Sequence, residues 1–261
     1  MSTYKIMACN IWGDYFGNKV EPRVQTFIDY FKKESPDVLG IQEYTPNWYK
    51  SPLFSELSDE YASIGCFAER NNYTPLLFKK EKFSVIEGGW MLYTETPDKT
   101  KGISWAVLED NVSGKRRMFC CTHFWWKTGP EHDVIRLKNA DELAALVKTI
   151  TAKYNAPAFI FGDLNTHYDD SPFKRLVKHG FEYLMETAED ADKMSSWHGD
   201  PVKVSEDKYV GSKTQNDFRR SLDHIFSFNN KEKVKEYRIC EEQVLLDVSD
   251  HSPIHAIIEE E

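Results

Sequence analysis

No apolar run in this chain reaches the roughly 18 residues that a membrane-spanning helix needs, so no stable membrane insertion is expected. The opening residues, MSTYKIMACN, lack a signal-peptide pattern and lead straight into a strand, which points to a cytoplasmic location. Basic runs are missing too, and the net charge is −9, which argues against a protein that grips nucleic acid through a cationic surface. A nuclease that meets phosphate through metal ions is still allowed. Cysteine is scarce and odd in number: Cys9, Cys66, Cys120, Cys121 and Cys240 lie mostly in apolar strand-like runs, and no C-x-x-C spacing offers a zinc site. They read as reduced core thiols. No repeat, low-complexity linker or break in composition divides the chain, so residues 1–261 are expected to form a single domain and a monomer. What is present is core material, with 41% hydrophobic and 14% aromatic residues.

The stretch from Ala158 to Phe173, AFIFGDLNTHYDDSPF, organises the rest. Ala158–Phe161 is a short apolar run that reads as a buried strand. Gly162 is read as the tight turn after it, so that Asp163 and Asn165 emerge at the strand end. Pro172 then opens a helix to His179, with Asp169, Asp170 and Ser171 as capping candidates and Gly180 as its stop.

Other stretches have the same form. Tyr4–Ile11 alternates as a strand, and Arg23–Glu34 sets Val24, Phe27, Ile28 and Phe31 on one helical face before Ser35-Pro36 ends it. Asp37–Gln42 follows as a buried strand, giving a βαβ start. Thr74–Phe78 and Phe83–Gly88 read as one hairpin, and Ile103–Glu109 with Arg116–His123 as a second. A long helix is expected over Asp133–Tyr154, with Ala140, Leu143, Ala144, Val147 and Ile150 on its buried face. Lys193–Arg220 is polar and reads as a surface loop, and Ser221–Phe228 and Pro253–Ile258 close the chain as strands. The expected fold is α/β: two mixed sheets face to face with helices outside.

Polar residues recur where these apolar runs stop. They are Asn10, Glu43, His123, Asp163 with Asn165, Asp223 and Asp250-His251. If the strands share sheets, these ends converge on one rim. Carboxylates and amides suit Mg²⁺ or Mn²⁺ better than zinc, with Glu43 the first choice of ligand, helped by Asn10 and Asp250. Phosphoester hydrolysis also needs a base to align water, which fits Asp163 with Asn165. It needs positive charge at phosphorus, which fits His251 and His123. A carboxylate should orient His251, which fits Asp223. The competing reading of Asp223 is a pair with Arg219 or Arg220.

These motifs resemble the endonuclease/exonuclease/phosphatase family, which includes DNase I-like nucleases. They are NIW at Asn10, IQE at Glu43, TH at His123, GDLN at Asp163–Asn165, LDHIF at Asp223 and SDHSP at Asp250-His251. They run in that order over nearly the whole chain. The resemblance implies a four-layer α/β/β/α sandwich and metal-dependent cleavage of phosphoesters. It also implies metal binding at Asn10 and Glu43, handling of the nucleophile by Asp163 and Asn165, and phosphate contact by His123 and the Asp223–His251 pair. One departure stands out. Relatives often carry an acid shortly before Y-x-P that supports the first histidine, and Arg70-Asn71-Asn72-Tyr73-Thr74-Pro75 has none, leaving Glu69 as a substitute.

Trp12, Tyr73, Trp126, Trp197 and His198 are candidate cleft walls that could stack on a base or sugar, and Arg70 is a candidate second phosphate contact. Of the neighbours Trp125 and Trp126, one should pack and the other face the cleft. His224 reads as packed. The expected partner is a phosphoester, either a small molecule or single-stranded nucleic acid. A non-catalytic sugar- or protein-binding module on the same fold is the alternative, and a two-carboxylate glycosidase would leave the Asp–His pairs unexplained.

Overall fold

The computed structural model describes residues 2–65 and 72–260. The chain opens with β1 (Thr3–Asn10), α1 (Val24–Glu34) and β2 (Val38–Gln42), followed by α2 (Pro46–Lys50), α3 (Leu53–Leu57), β3 (Tyr61–Ile64) and β4 (Leu76–Lys79). Next come β5 (Phe83–Leu92), β6 (Gly102–Asp110), β7 (Arg116–His123), α4 (Pro130–Tyr154), β8 (Ala158–Asp163) and α5 (Ser171–Lys178). Then β9 (Glu182–Tyr183), α6 (Leu184–Thr187), β10 (Asp190–Ala191) and a two-stranded pair, β11 (Val202–Ser205) and β12 (Lys208–Val210). The chain closes with β13 (Asp223–Phe228), β14 (Lys233–Ile239), α7 (Gln243–Leu246) and β15 (Ile254–Glu259).

Two large mixed sheets result, of seven strands (β10-β14-β15-β1-β2-β4-β3) and six strands (β5-β6-β7-β8-β13-β9), flanked by helices in an α/β sandwich. Period-two alternation explains the layering. In β1, Ile6 and Ala8 face the core shared with the six-stranded sheet, whereas Met7 and Cys9 face the cluster containing Phe27, Ile28 and Phe31 of α1. The other sheet is covered by α4, whose Ala140, Leu143, Ala144, Val147 and Ile150 are all buried. Each such aliphatic side chain larger than Ala stabilises the fold by about 1.5–3 kcal/mol. Cys9, Cys120, Cys121 and Cys240 are free thiols, the first three buried, while Cys66 lies outside the described residues.

Gly40 of β2 decides how closely the sheets approach. A Cβ there would sit 2.6 Å from the Phe161 ring and 2.8 Å from Cys121 Cβ. The strands that carry the polar rim can therefore meet only over a bare glycine.

Three expectations need correction. Thr74–Phe78 and Phe83–Gly88 do not form a hairpin. Phe78 pairs with Val38 and Ala62 in one sheet, while Phe83 pairs with Asp110 in the other, so the charged turn at 80–82 crosses between layers. The second hairpin is as expected, with Ile103 opposite Thr122. Gly162 makes no turn. It continues β8 at φ +145°, where a Cβ would fall 2.0 Å from the Thr122 carbonyl oxygen, and the left-handed residue is Asn165, at φ +46°. Lys193–Arg220 is more than a surface loop, since Ser195 and Ser196 are fully buried and Tyr209 packs edge-on against Trp12 at 5.5 Å. Among the described residues no helix is long and apolar enough to cross a membrane.

Candidate active site

Sheet register assembles the site. β7 and β8 are parallel with His123 beside Asp163, and β13 runs antiparallel to β8 with Asp223 opposite Asp163. Three side chains from distant parts of the sequence thus stand in a row. From the facing sheet, Asn10 pairs in register with Gln42, which brings Glu43 to the same edge. The turn before β15 delivers Asp250 and His251, and β15 is the direct neighbour of β1.

Hydrogen bonds tie the row together. Asn10 Nδ2 donates to Asp163 Oδ2 at 3.0 Å, and Asn10 Oδ1 accepts from the Trp12 N–H at 3.0 Å. Asp163 Oδ1 accepts from the Asn165 N–H at 2.8 Å. His251 Nδ1 lies 2.7 Å from Asp223 Oδ2, and its Nε2 is 3.8 Å from Asp163 Oδ2. The Asp223 carboxylate is thus committed to His251 rather than to either arginine. Arg219 pairs with Asp217 instead.

Burial makes these charges strong. It would by itself raise the Asp163 carboxyl, but the His123 and His251 imidazoles and the Asn165 N–H hold it well below the usual carboxylate range. Burial likewise disfavours the His251 imidazolium, yet the Asp223, Asp250 and Asp163 carboxylates push it well above its ordinary value. A carboxylate held so far down is ionised at every working pH. Such a group suits orienting a water more than taking its proton early.

Glu43 and Asp250 are two further carboxylates at this edge. Glu43 Oε2 accepts from the Gly13 N–H at 2.6 Å, and its backbone is held at φ +63°, a left-handed conformation that costs a non-glycine residue about 1–3 kcal/mol. Asp250 is pushed up to about 7 by burial and then, against His251, by the Glu43 and Asp200 carboxylates. Its Oδ1 is buried with no hydrogen-bond partner. An orphaned carboxylate oxygen close enough to feel a second carboxylate is what a hard divalent cation relieves, so these donors fit such an ion. The tightest group of possible ligand atoms among the described residues is different: Asp163, Asp223 and His251, all within 4.8 Å of one another. Its compactness follows from the Asp223–His251 hydrogen bond.

Two neighbours were invisible in the sequence. Ser196, from the segment read as a loop, donates from Oγ to Asp223 Oδ2 at 2.7 Å and accepts from the Asp223 N–H at 3.1 Å. Lys101 is buried just before β6, with Nζ 3.0 Å from His123 Nε2 and 3.3 Å from its Nδ1. Burial lowers its ammonium from the ordinary value, opposed by Glu43, Asp163 and Asp98. His123 thus has Lys101 on one side as well as the Asp163 carboxylate, whose Oδ2 lies 3.3 Å from its Nε2. Asn72, just before Tyr73, turns instead to Ser104 Oγ at 2.7 Å, and Glu69 lies outside the described residues.

The aromatic candidates divide. Trp126 is 47% exposed while Trp125 is buried with its Nε1 donating to His132 Nδ1 at 3.0 Å. Trp197 pairs as an isolated bridge with His251, and the His198 N–H donates to the Asp250 carbonyl at 3.1 Å, so both abut the site. Burial and His251 push the His198 imidazole down to about 4. Trp12 is mostly buried, stacked by the Arg23 guanidinium at 5.1 Å, which leaves it little free face. Tyr73 is half-buried, near Asp14 and Asp98. Arg70 lies outside the described residues. His224 is fully buried with Nε2 2.8 Å from the Thr166 carbonyl.

The family model described as Endonuclease/Exonuclease/phosphatase family matches residues 7–251, and the chain belongs to that family. Among solved structures, an endonuclease/exonuclease/phosphatase from Bacteroides vulgatus is similar at TM-score 0.78 and 21% identity, with 100% of each chain covered. A mannosyl-6-phosphatase from Bacteroides thetaiotaomicron is similar at TM-score 0.74 and 18% identity, over 98% of this chain and 100% of that one. The human Nocturnin catalytic domain with a bound sulfate anion is similar at TM-score 0.71 and 18% identity, over 98% of this chain and 94% of that one. No curated protein matches the chain.

Proposed function

We propose that this chain is a Mg²⁺- or Mn²⁺-dependent hydrolase of phosphoesters. The observation that carries the reading is the buried Asp223–His251 pair, 2.7 Å apart, aimed at an ionised Asp163 with Glu43 and Asp250 alongside. Glu43, Asp250 and Asn10 would hold the cation, which when bound supplies Lewis-acid neutralisation of charge on the phosphoryl group. Asp163, braced by Asn10 and by the Asn165 N–H, orients a water toward phosphorus. His251, kept protonated by its carboxylate neighbours, meets the negative charge that develops on the phosphoryl oxygens. Asn165 and His123 stand on the opposite flank, with Asn165 Nδ2 3.0 Å from His123 Nε2. The mannosyl-6-phosphatase among the structural neighbours acts on a sugar phosphate, which supports a small phosphorylated substrate here. Trp126 and Trp197 offer flat surfaces for the rest of such a molecule.

The test is hydrolysis with Mg²⁺, Mn²⁺ or chelator over sugar phosphates, a bis-aryl phosphodiester, RNA, DNA and phospholipid head groups. Metal-dependent turnover of at least one class is expected, lost in Asp163→Ala and His251→Ala with circular dichroism unchanged. Full activity in either variant, or tight ligand binding without turnover, would end the assignment.

A further inference from the structure

Lys101 is buried and short of acceptors. Only 3% of it is exposed. Among the described residues, no carboxylate oxygen lies within 4.0 Å of its Nζ, and the His123 ring is the one hydrogen-bonding group in reach. The Glu43, Asp163 and Asp98 carboxylates act on it only through space, so burying this amine costs more than those charges return and a methionine of similar length would serve the fold at least as well.

His123 cannot satisfy what surrounds it. Its Nε2 faces Lys101 Nζ at 3.0 Å, Asn165 Nδ2 at 3.0 Å and Asp163 Oδ2 at 3.3 Å. Asn165 Nδ2 also donates to the Phe124 carbonyl at 3.2 Å, which fixes the amide orientation. One ring nitrogen holds either a proton or a single lone pair. If it donates to Asp163, Nδ1 is left to accept from Lys101 Nζ at 3.3 Å and Asn165 Nδ2 keeps only the Phe124 carbonyl. If it accepts, it serves one of the two donors. In either tautomer Lys101 has at most one acceptor for its N–H groups, so donors are left over beside Asp163.

We propose that Lys101 reads the second negative charge of the substrate phosphate, so that the site takes phosphomonoesters, compounds ending in a free phosphate, in preference to phosphodiesters. This rests on the hydrolase reading of the same site. A monoester dianion carries one more charge and one more unsubstituted oxygen than a diester, and Lys101 Nζ with Asn165 Nδ2 supplies a cation and donors for that oxygen. The reaction is then attack of water oxygen on phosphorus with cleavage of the ester P–O bond. One water proton ends on the departing alcohol and the other on the hydrogen phosphate dianion.

Two readouts test this with the whole protein. The first is equilibrium binding of inorganic phosphate and of diethyl phosphate at about pH 8, by calorimetry without added metal. The wild type should prefer inorganic phosphate by about tenfold or more, the scale of one charge-assisted hydrogen bond, and Lys101→Met and Lys101→Gln should lose that preference. No preference in the wild type, or a preference that survives in either folded variant, overturns the proposal. The second is kcat/KM for 4-nitrophenyl phosphate against bis(4-nitrophenyl) phosphate with Mn²⁺. The monoester-to-diester ratio should fall about a hundredfold in Lys101→Met, in line with loss of a single charged donor to the phosphoryl group, and an unchanged ratio overturns the proposal. If the wild type hydrolyses neither ester yet shows the Lys101-dependent phosphate preference, the hydrolase reading fails and the assignment of Lys101 as the phosphate reader stands.

Discussion

Replacing Ser196 by alanine should disturb the active site from behind, without touching any group that meets substrate. Ser196 Oγ donates to Asp223 Oδ2 at 2.7 Å while accepting from the Asp223 N–H at 3.1 Å and the Leu222 N–H at 3.3 Å. The residue is fully buried, so water cannot replace these bonds. A hydrogen bond to a charged group contributes about 1.5–3 kcal/mol, and a stranded buried donor costs about 1–3 kcal/mol. A net destabilisation of about 3 kcal/mol follows, equivalent to a fall in Tm of roughly 6–12 °C for a chain near this size. The chemical effect has a definite sign. An Asp223 carboxylate with one donor fewer is a stronger acceptor for His251, so the His251 imidazolium should lose its proton at still higher pH. The high-pH limb of the rate profile should move up, and kcat should fall about tenfold as the ring loses its fixed orientation. Ser196→Thr, which keeps the hydroxyl, should restore both. The assays are thermal unfolding and the pH dependence of kcat on one phosphoester substrate. A Ser196→Ala variant with wild-type Tm and an unmoved profile would refute the argument that this hydroxyl positions Asp223.

Three further outcomes follow from particular residues. His224 is fully buried and pushed down to about 4 by burial, against about 6.5 in an unfolded chain, so the unfolded state binds more protons between these values. Its contribution to stability is complete above about pH 6.5 and is lost as pH falls to about 4, by order 3 kcal/mol; denaturant titrations should show a flatter acid slope in His224→Phe than in wild type, and equal slopes would contradict the buried neutral ring. Gly40→Ala would set a Cβ 2.6 Å from the Phe161 ring, and overpacking of that kind costs about 1–3 kcal/mol, so Tm should drop measurably; an unchanged Tm would mean the sheets are less tightly apposed than described. Trp126→Ala, at a ring 47% exposed, should raise KM several-fold with Tm within about a degree, whereas lost stability with unchanged KM would make the ring a packing residue.

Much of this site was legible in the sequence, because each polar group was marked by the end of an apolar run. Asn10, His123, Asp163 and Asp223 sit at strand ends, and sheet register does the rest. Lys101 was hidden for the opposite reason. Preceded by a run of charged and polar residues, it looks like any solvated lysine, and only packing against His123 buries it. Ser196 was hidden in a segment whose polarity reads as surface. That polarity is instead directed inward, at the Asp223 carboxylate. The crossing between sheets at residues 80–82 was missed because a charged turn between two strands looks the same whether the chain reverses or changes layer. Local pattern sets strand and turn; which sheet a strand joins depends on partners far away.

Under the proposed function, Glu43 and Asp250, not the compact Asp163–Asp223–His251 group, would hold the divalent cation beside a hydrogen-bonded acid–imidazole chain. Titration with Mn²⁺, reading free ion by electron paramagnetic resonance, tests it directly on the wild type, Glu43→Gln and Asp223→Asn. One strong site is expected, weakened about tenfold or more in Glu43→Gln and much less in Asp223→Asn. Wild-type affinity in Glu43→Gln with binding lost in Asp223→Asn would contradict it.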